Sequence, residues 1–248
     1  MCLIVFAWRP GHAQPLVMAA NRDEFYDRPT QPLGFWQDAP QVLAGRDLEA
    51  GGTWLGLGGE GRFAALTNIR DPRQPPFGRS RGELVAQFLR SDLSPAAFLD
   101  ELLPRANQYA GFNLVLGDSQ TCWFFNSWEG QPLQLQAGLY GLSNASLDTP
   151  WPKLEKAKAA LGEVLHNPEP DALFAILGDP QRAPDASLPD TGIGLASEQL
   201  LSSVFIASRT YGTRACSALI VQADGRRLLV ERSFGPYGGH LGEVRVEA

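Results

Sequence analysis

The 248-residue chain is poor in the residues that most often mark a site: it has three Cys, three His and two Met. An odd, sparse Cys count excludes a disulfide framework and fits free thiols in a reducing cytoplasm. His12, His166 and His240 stand alone, without paired-ligand spacing. No Cys-x-x-Cys-His haem attachment occurs, so neither a metal nor a resident cofactor is expected. No apolar run approaches the ~20 residues that span a bilayer, which excludes a helical membrane segment. Residues 2–8 are apolar, but no basic stretch precedes them and Arg9-Pro10-Gly11 ends them, unlike a secretory signal. Basic residues are the minority, 21 Lys+Arg against 27 Asp+Glu, and the net charge of -6 argues against nucleic-acid partners. What is present is a globular composition, 44% hydrophobic and 19% charged, which excludes a wholly disordered chain. There is no internal repeat, and Pro and Gly punctuate the chain evenly. The expectation is one domain, residues 1–248.

The first third reads as β. Cys2–Trp8 and Pro15–Ala20 form a hairpin around a turn at Arg9–Gln14, and Thr53–Leu57 and Arg62–Thr67 form a second around Gly58-Gly59-Glu60-Gly61. Two helices follow. Ser80-Arg81-Gly82-Glu83 fits a capping box, and Ser94-Pro95 is an N-cap followed by Pro at the first helical position. Gly111–Leu116, Thr121–Asn126 and Leu139–Leu142 read as strands. Trp151–Leu165 is an amphipathic helix with Leu154, Ala157, Leu161 and Leu165 on one stripe. Asp171–Leu177 is a short helix and Pro180–Gly194 a loop. Ser203–Ser208, Ala215–Gln222 and Arg227–Phe234 are the last strands. Segregated strands and helices predict α+β with antiparallel sheets, two of them stacked with helices outside.

Cys2 is the most informative residue. Loss of Met1 would leave its α-amine, with a reference pKa of about 7.7–8.0, as a base for its own thiol. The competing reading is a small apolar residue in a buried strand. Asn21-Arg22-Asp23-Glu24 follows the second strand, and antiparallel pairing brings Ala20 and Asn21 near Cys2. Arg22 would favour the thiolate and Asp23 would hydrogen-bond the α-amine; a solvated turn is the alternative. Asn68 and Asn144 end strands, as oxyanion donors or as turn residues. Arg214 precedes an apolar strand, where it meets the thiolate or a substrate carboxylate, or lies at the surface. Gly51–Gly61 lacks a P-loop ending, and Gly51-Gly52-Thr53-Trp54 lets backbone approach a ligand or forms a tight turn. Arg70, Arg73, Arg79 and Arg81 cluster in a Pro-rich loop, either to collect an anion or solvated. Cys122 and Cys216 read as core thiols.

Asn21-Arg22-Asp23-Glu24 after an N-terminal Met-Cys hairpin resembles the NRDE family, also called the Transport and Golgi Organisation 2 family. Further matches run in order along the chain: Ala44-Gly45-Arg46-Asp47, Gly51 to Gly56, Gly111-Phe112-Asn113, Gly138 to Asn144, Trp151-Pro152-Lys153 and Tyr211-Gly212-Thr213-Arg214. The resemblance implies an N-terminal-nucleophile hydrolase-like αββα sandwich. It links the chain to acyl-thioester or lipid homeostasis and to haem trafficking, with haem or an acyl compound as a reversibly bound small-molecule ligand. A more distant resemblance, to the choloylglycine hydrolase and penicillin acylase group, implies a catalytic set of Cys2, Arg22, Asp23, Asn68, Asn144 and Arg214. Here Arg22 and Asp23 are adjacent, whereas that group separates its pair by two residues. Asn21, Glu24, Trp54, Arg70 and Arg73 complete the expected ligand contacts. The expected activity is cleavage of an amide or acyl-thioester bond by a Cys nucleophile. The alternative is a non-enzymatic carrier of haem or acyl lipids.

Overall fold

The computed structural model describes residues 2–74 and 78–248. Among these residues the first strands are β1 (Cys2–Trp8), β2 (Leu16–Phe25), β3 (Thr30–Trp36), β4 (Ala39–Asp47), β5 (Leu55–Leu57) and β6 (Phe63–Asn68). Then come β7 (Phe112–Gly117), β8 (Cys122–Asn126), β9 (Leu133–Gln134) and β10 (Gly138–Leu142). The last are β11 (Tyr211–Val221), β12 (Arg227–Phe234) and β13 (His240–Glu247). The α-helices are α1 (Gly82–Arg90), α2 (Pro95–Leu102), α3 (Pro152–Val164), α4 (Pro170–Leu177) and α5 (Leu195–Leu201). All strand pairs are antiparallel, in two sheets, as the α+β expectation required.

Two compact units divide the chain. The first comprises Met1–Asp27, Arg70–Pro72 and Ala137–Ala248. Its sheet runs β10-β1-β2-β11-β12-β13. Alternation sends Leu3, Val5, Val17, Ala19, Ala218 and Ile220 to one face, where they pack with Leu154, Ala157 and Leu161 of α3 and with Leu173, Phe174 and Leu177 of α4. Each Leu so buried contributes about 1.5–3 kcal/mol. Both helices open with Pro at the first position, where no N–H is needed.

The second unit comprises Arg28–Ile69 and Arg73–Gln136, with a sheet in the order β3-β4-β5-β6-β7-β8-β9. Leu84, Phe88 and Leu89 of α1 and Phe98, Leu99 and Leu102 of α2 pack with Val42, Leu66, Leu114 and Phe125 of the strands. The α1 N-terminus lies so close to the preceding glycine turn that a Cβ on Gly52 would stand 2.4 Å from the Gly82 carbonyl carbon. The Thr53 N–H donates to the Gly82 carbonyl at 3.1 Å. Gly51-Gly52 therefore serves a close backbone approach within this unit.

Ser94 caps α2 as expected, its Oγ accepting from the Ala97 N–H. The capping box at Ser80 does not form: α1 starts without a side-chain cap, and Glu83 instead pairs with Arg79 at 2.6 Å and accepts from the Tyr109 hydroxyl. Ser203–Ser208 is not a strand. It carries a lone bridge, Ala207 to Gly212. The Val204 carbonyl instead accepts a side-chain bond from β2, which takes it out of any ladder. Strands β3, β4 and β13 and helix α5 were not expected from the sequence.

Candidate functional site

The tetrad at position 21 is strand rather than turn. β2 pairs with β1 as far as Arg22 and continues to Phe25 because β11 pairs with it along its whole length. The period of two then divides the tetrad between faces. Asn21 pairs with Leu3 and Cys216 on the helix-covered face, while Arg22 pairs with Cys2 on the other. The hairpin thus brings Arg22, one position beyond the expected Asn21, directly opposite Cys2. Asn21 donates from Nδ2 to the Leu177 carbonyl at 3.0 Å and to the Val204 carbonyl at 2.9 Å, tying β2 to the end of α4. It is a structural clamp. Glu24 is half-buried and accepts from the Phe25 N–H.

Cys2 is 9% exposed and Arg22 and Asp23 are buried. The Asp23 backbone N–H donates toward the Cys2 sulfur, and Arg22 favours the thiolate, but burial outweighs both and pushes the thiol up. The expected thiolate stabilisation is present and is the smaller effect. Asp23 faces the helical side and accepts from Thr213 Oγ1 at 2.8 Å. Thr213 in turn accepts from the Ile206 N–H at 2.9 Å. Burial raises the Asp23 carboxyl, and Lys153 is the leading opposing charge. Ser143 Oγ donates to the Cys2 carbonyl at 3.1 Å, which anchors the buried Asn144 beside the start of β1. Arg214 is the extra residue of a β-bulge between Thr213 and Ala215, and its Nη1 reaches the Phe25 carbonyl at 3.0 Å.

Lys153, in the first turn of α3, is 4% exposed. Its Nζ has no hydrogen-bond partner among the described residues. Burial lowers its pKa to about 8, against the attraction of Asp23. Beside it, Arg70 is ion-paired with Glu198 at 2.6 Å, both side chains 4% exposed, and lies over the Trp151 ring. Lys153, Arg70 and Glu198 line a small cavity of about 10 Å³. A larger one, about 190 Å³, shares Pro152, Lys153 and Ser202 with it.

The first unit contains Cys2, Arg22, Asp23, Asn144, Arg214, Asn21, Glu24 and Arg70. Asn68, Trp54 and Arg73 belong to the second unit: Asn68 ends β6 opposite Phe112, Trp54 is buried ahead of β5, and Arg73 is exposed. Of the remaining loop cations, Arg79 pairs with Glu83, and Arg81 donates to the Gly111 carbonyl at 3.2 Å. Cys122 and Cys216 are buried, with thiols pushed up chiefly by burial. Among the described residues no group of three or more His, Cys, Asp or Glu is placed to hold a metal ion. No helix among them is long and apolar enough to cross a membrane. The state of Met1 lies outside the described residues.

The family model for Transport and Golgi organisation 2 matches residues 1–236. The Transport and Golgi organization 2 homolog of Mus musculus is 38% identical over 94% of this chain and 93% of its own. The chain belongs to the Transport and Golgi organisation 2 family. The Homo sapiens homolog is also 38% identical, over the same shares, and the Drosophila melanogaster protein 28%, over 94% of this chain and 92% of its own. Among solved structures, a Caenorhabditis elegans N-acylethanolamine-hydrolyzing acid amidase ortholog aligns with a TM-score of 0.42 at 10% identity, covering 88% of this chain and 92% of that one.

Sequence reasoning missed Lys153 as a member of the site. The signal was present: positions 153, 157 and 161 fall on one side of α3, so a cation occupies the top of an otherwise apolar stripe. It missed Thr213 as the partner of Asp23 as well, because the bulge that sets their register has no sequence mark.

Proposed function

We propose that this Transport and Golgi organisation 2 member is an N-terminal-nucleophile hydrolase-like enzyme that cleaves an amide or acyl-thioester bond through Cys2. The observation that carries this reading is the start of β1: Cys2 lies directly across from Arg22, and the neighbouring Asp23 N–H is aimed at its sulfur. Removal of Met1 frees the Cys2 α-amine. That amine, with an ordinary pKa of about 7.7–8.0, accepts the thiol proton that burial otherwise retains. The thiolate then attacks the substrate carbonyl, and the Asn144 amide supports the oxyanion. Collapse of the tetrahedral adduct expels an amine or thiol, which takes the proton from the α-ammonium. Water then releases the acid from the acyl-enzyme. Asp23, fixed by Thr213, holds the α-ammonium in place.

A second reading, a carrier of haem or acyl lipid, draws support from the buried and up-shifted thiol. The 190 Å³ cavity lies below the roughly 300–1,000 Å³ of drug-sized ligand pockets, so haem does not fit in it. Intact mass combined with a thiol-reactive acyl probe separates the readings. The enzyme lacks Met1 and is acylated at Cys2, and Cys2→Ala abolishes labelling. Retained Met1 with an unlabelled Cys2, and ligand binding that survives Cys2→Ala, would refute the hydrolase and leave the carrier.

A further inference from the structure

The 190 Å³ cavity beside the first turn of α3 has an unusual wall. Pro152, Ala183 and Val204 make it largely apolar, and its charged lining residues, Lys153, Lys156 and Arg182, are all cations. Lys156 is already engaged, by the Asp179 carboxylate and by Gln181 Oε1 at 2.7 Å. Arg182 is exposed and forms no ion pair among the described residues. Lys153 is buried with an amine that lacks a hydrogen-bond partner. Two carboxylates near this region are ion-paired elsewhere, Asp179 to Lys156 and Glu198 to Arg70, while Asp23 attracts Lys153 without forming a hydrogen bond to its amine. A buried ammonium without a hydrogen bond is costly, and a charge-assisted bond to an oxyanion relieves that cost.

We infer that this cavity binds a small molecule carrying an oxyanion, a carboxylate or phosphate, on an apolar body, with Lys153 and Arg182 as its charge partners. Size sets the body. An apolar cavity of about 150 Å³ admits benzene, so 190 Å³ accommodates one ring with one anionic group. The apolar wall takes the ring, Lys153 meets the oxyanion from the α3 side, and Arg182 closes over it from the rim. This inference does not depend on Cys2 acting as a nucleophile, since none of the cavity's lining residues belongs to the proposed acyl-transfer steps.

The test titrates the full chain with benzoate, phenyl phosphate and the neutral analogue benzyl alcohol, by calorimetry or by amide shifts in NMR. The expected result is that at least one anion binds ten-fold or more tightly than benzyl alcohol. Arg182→Gln should weaken that anion at least five-fold, and Lys153→Met should abolish its binding. Preference for benzoate assigns a carboxylate ligand, and preference for phenyl phosphate assigns a phosphate. Arg182 lies at an exposed rim, so its variant decides the matter even where Lys153→Met fails to fold. Millimolar anions that do not bind, binding no tighter than the alcohol, or an Arg182→Gln variant with unchanged affinity would each overturn the inference.

Discussion

Replacing Lys153 by Met should change how stability depends on pH. The ordinary lysine pKa of 10.5 falls to about 8 in the folded chain, chiefly because burial disfavours the ammonium. Between those values the unfolded chain holds a proton that the folded chain has lost, so stability rises with pH; below about 8 the full penalty is present. At about 1.36 kcal/mol per unit the whole penalty is roughly 3 kcal/mol, and the window from pH ~7.5 to ~9.5 spans about 2 kcal/mol of it. The Met variant has no such group. Wild-type stability minus variant stability should therefore climb by about 2 kcal/mol across that window. Other thiols, phenols and amines titrate there too, but both proteins share them and the subtraction removes them. Asp23, left without its main opposing cation in the variant, titrates higher and acts in the same direction. Urea denaturation of both proteins at the two pH values, with linear extrapolation, measures the quantity. A difference that stays flat or falls as pH rises would refute the reasoning.

Three further outcomes are expected. Arg70→Met should destabilise the fold by about 3–5 kcal/mol, because it strands the buried Glu198 carboxylate, and Glu198→Leu in the same chain should restore most of the loss in denaturant melts. Asn21→Leu removes both donors from the Leu177 and Val204 carbonyls and should destabilise by roughly 1–3 kcal/mol, with earlier hydrogen exchange at the end of α4. Thr213→Val leaves Asp23 Oδ1 without its hydroxyl donor and should also destabilise by roughly 1–3 kcal/mol, with Thr213→Ser retaining most of the stability; thermal denaturation of the two variants checks this.

The elements legible in the sequence were those with one dominant cause. The all-apolar run of β1 and the apolar stripe of α3 needed no tertiary information. The Ser94-Pro95 start of α2 was equally plain. β13 was not: exposed charged residues at 243, 245 and 247 alternate with half-buried Gly242, Val244 and Val246, and Leu241 is exposed as well, a pattern that suits an edge strand and hides it. From sequence β2 looks finished at Ala20 because polar residues follow, yet the β1 ladder carries it to Arg22 and the β11 ladder to Phe25. For the same reason the tetrad looked like a turn. Its resemblance to a family singles out this segment, but only the register shows that Asn21 clamps a helix while Arg22 faces Cys2. The Ser80 capping box matched the motif and failed because Glu83 has stronger partners in Arg79 and Tyr109.

The bulge in β11 has a consequence for protein engineering. Ala215 lies across from Arg22 and Thr213 across from Asp23, so position 214 is skipped by the ladder. Excising that single residue would leave the hydrogen-bonded pairs on either side in step, whereas cutting out a residue from the middle of the strand, such as Ala218, would turn one flank of it inside out. A chain shortened by this one position thus loses the bulge and the guanidinium together, and comparing it with Arg214→Ala, which keeps the bulge, separates what each contributes.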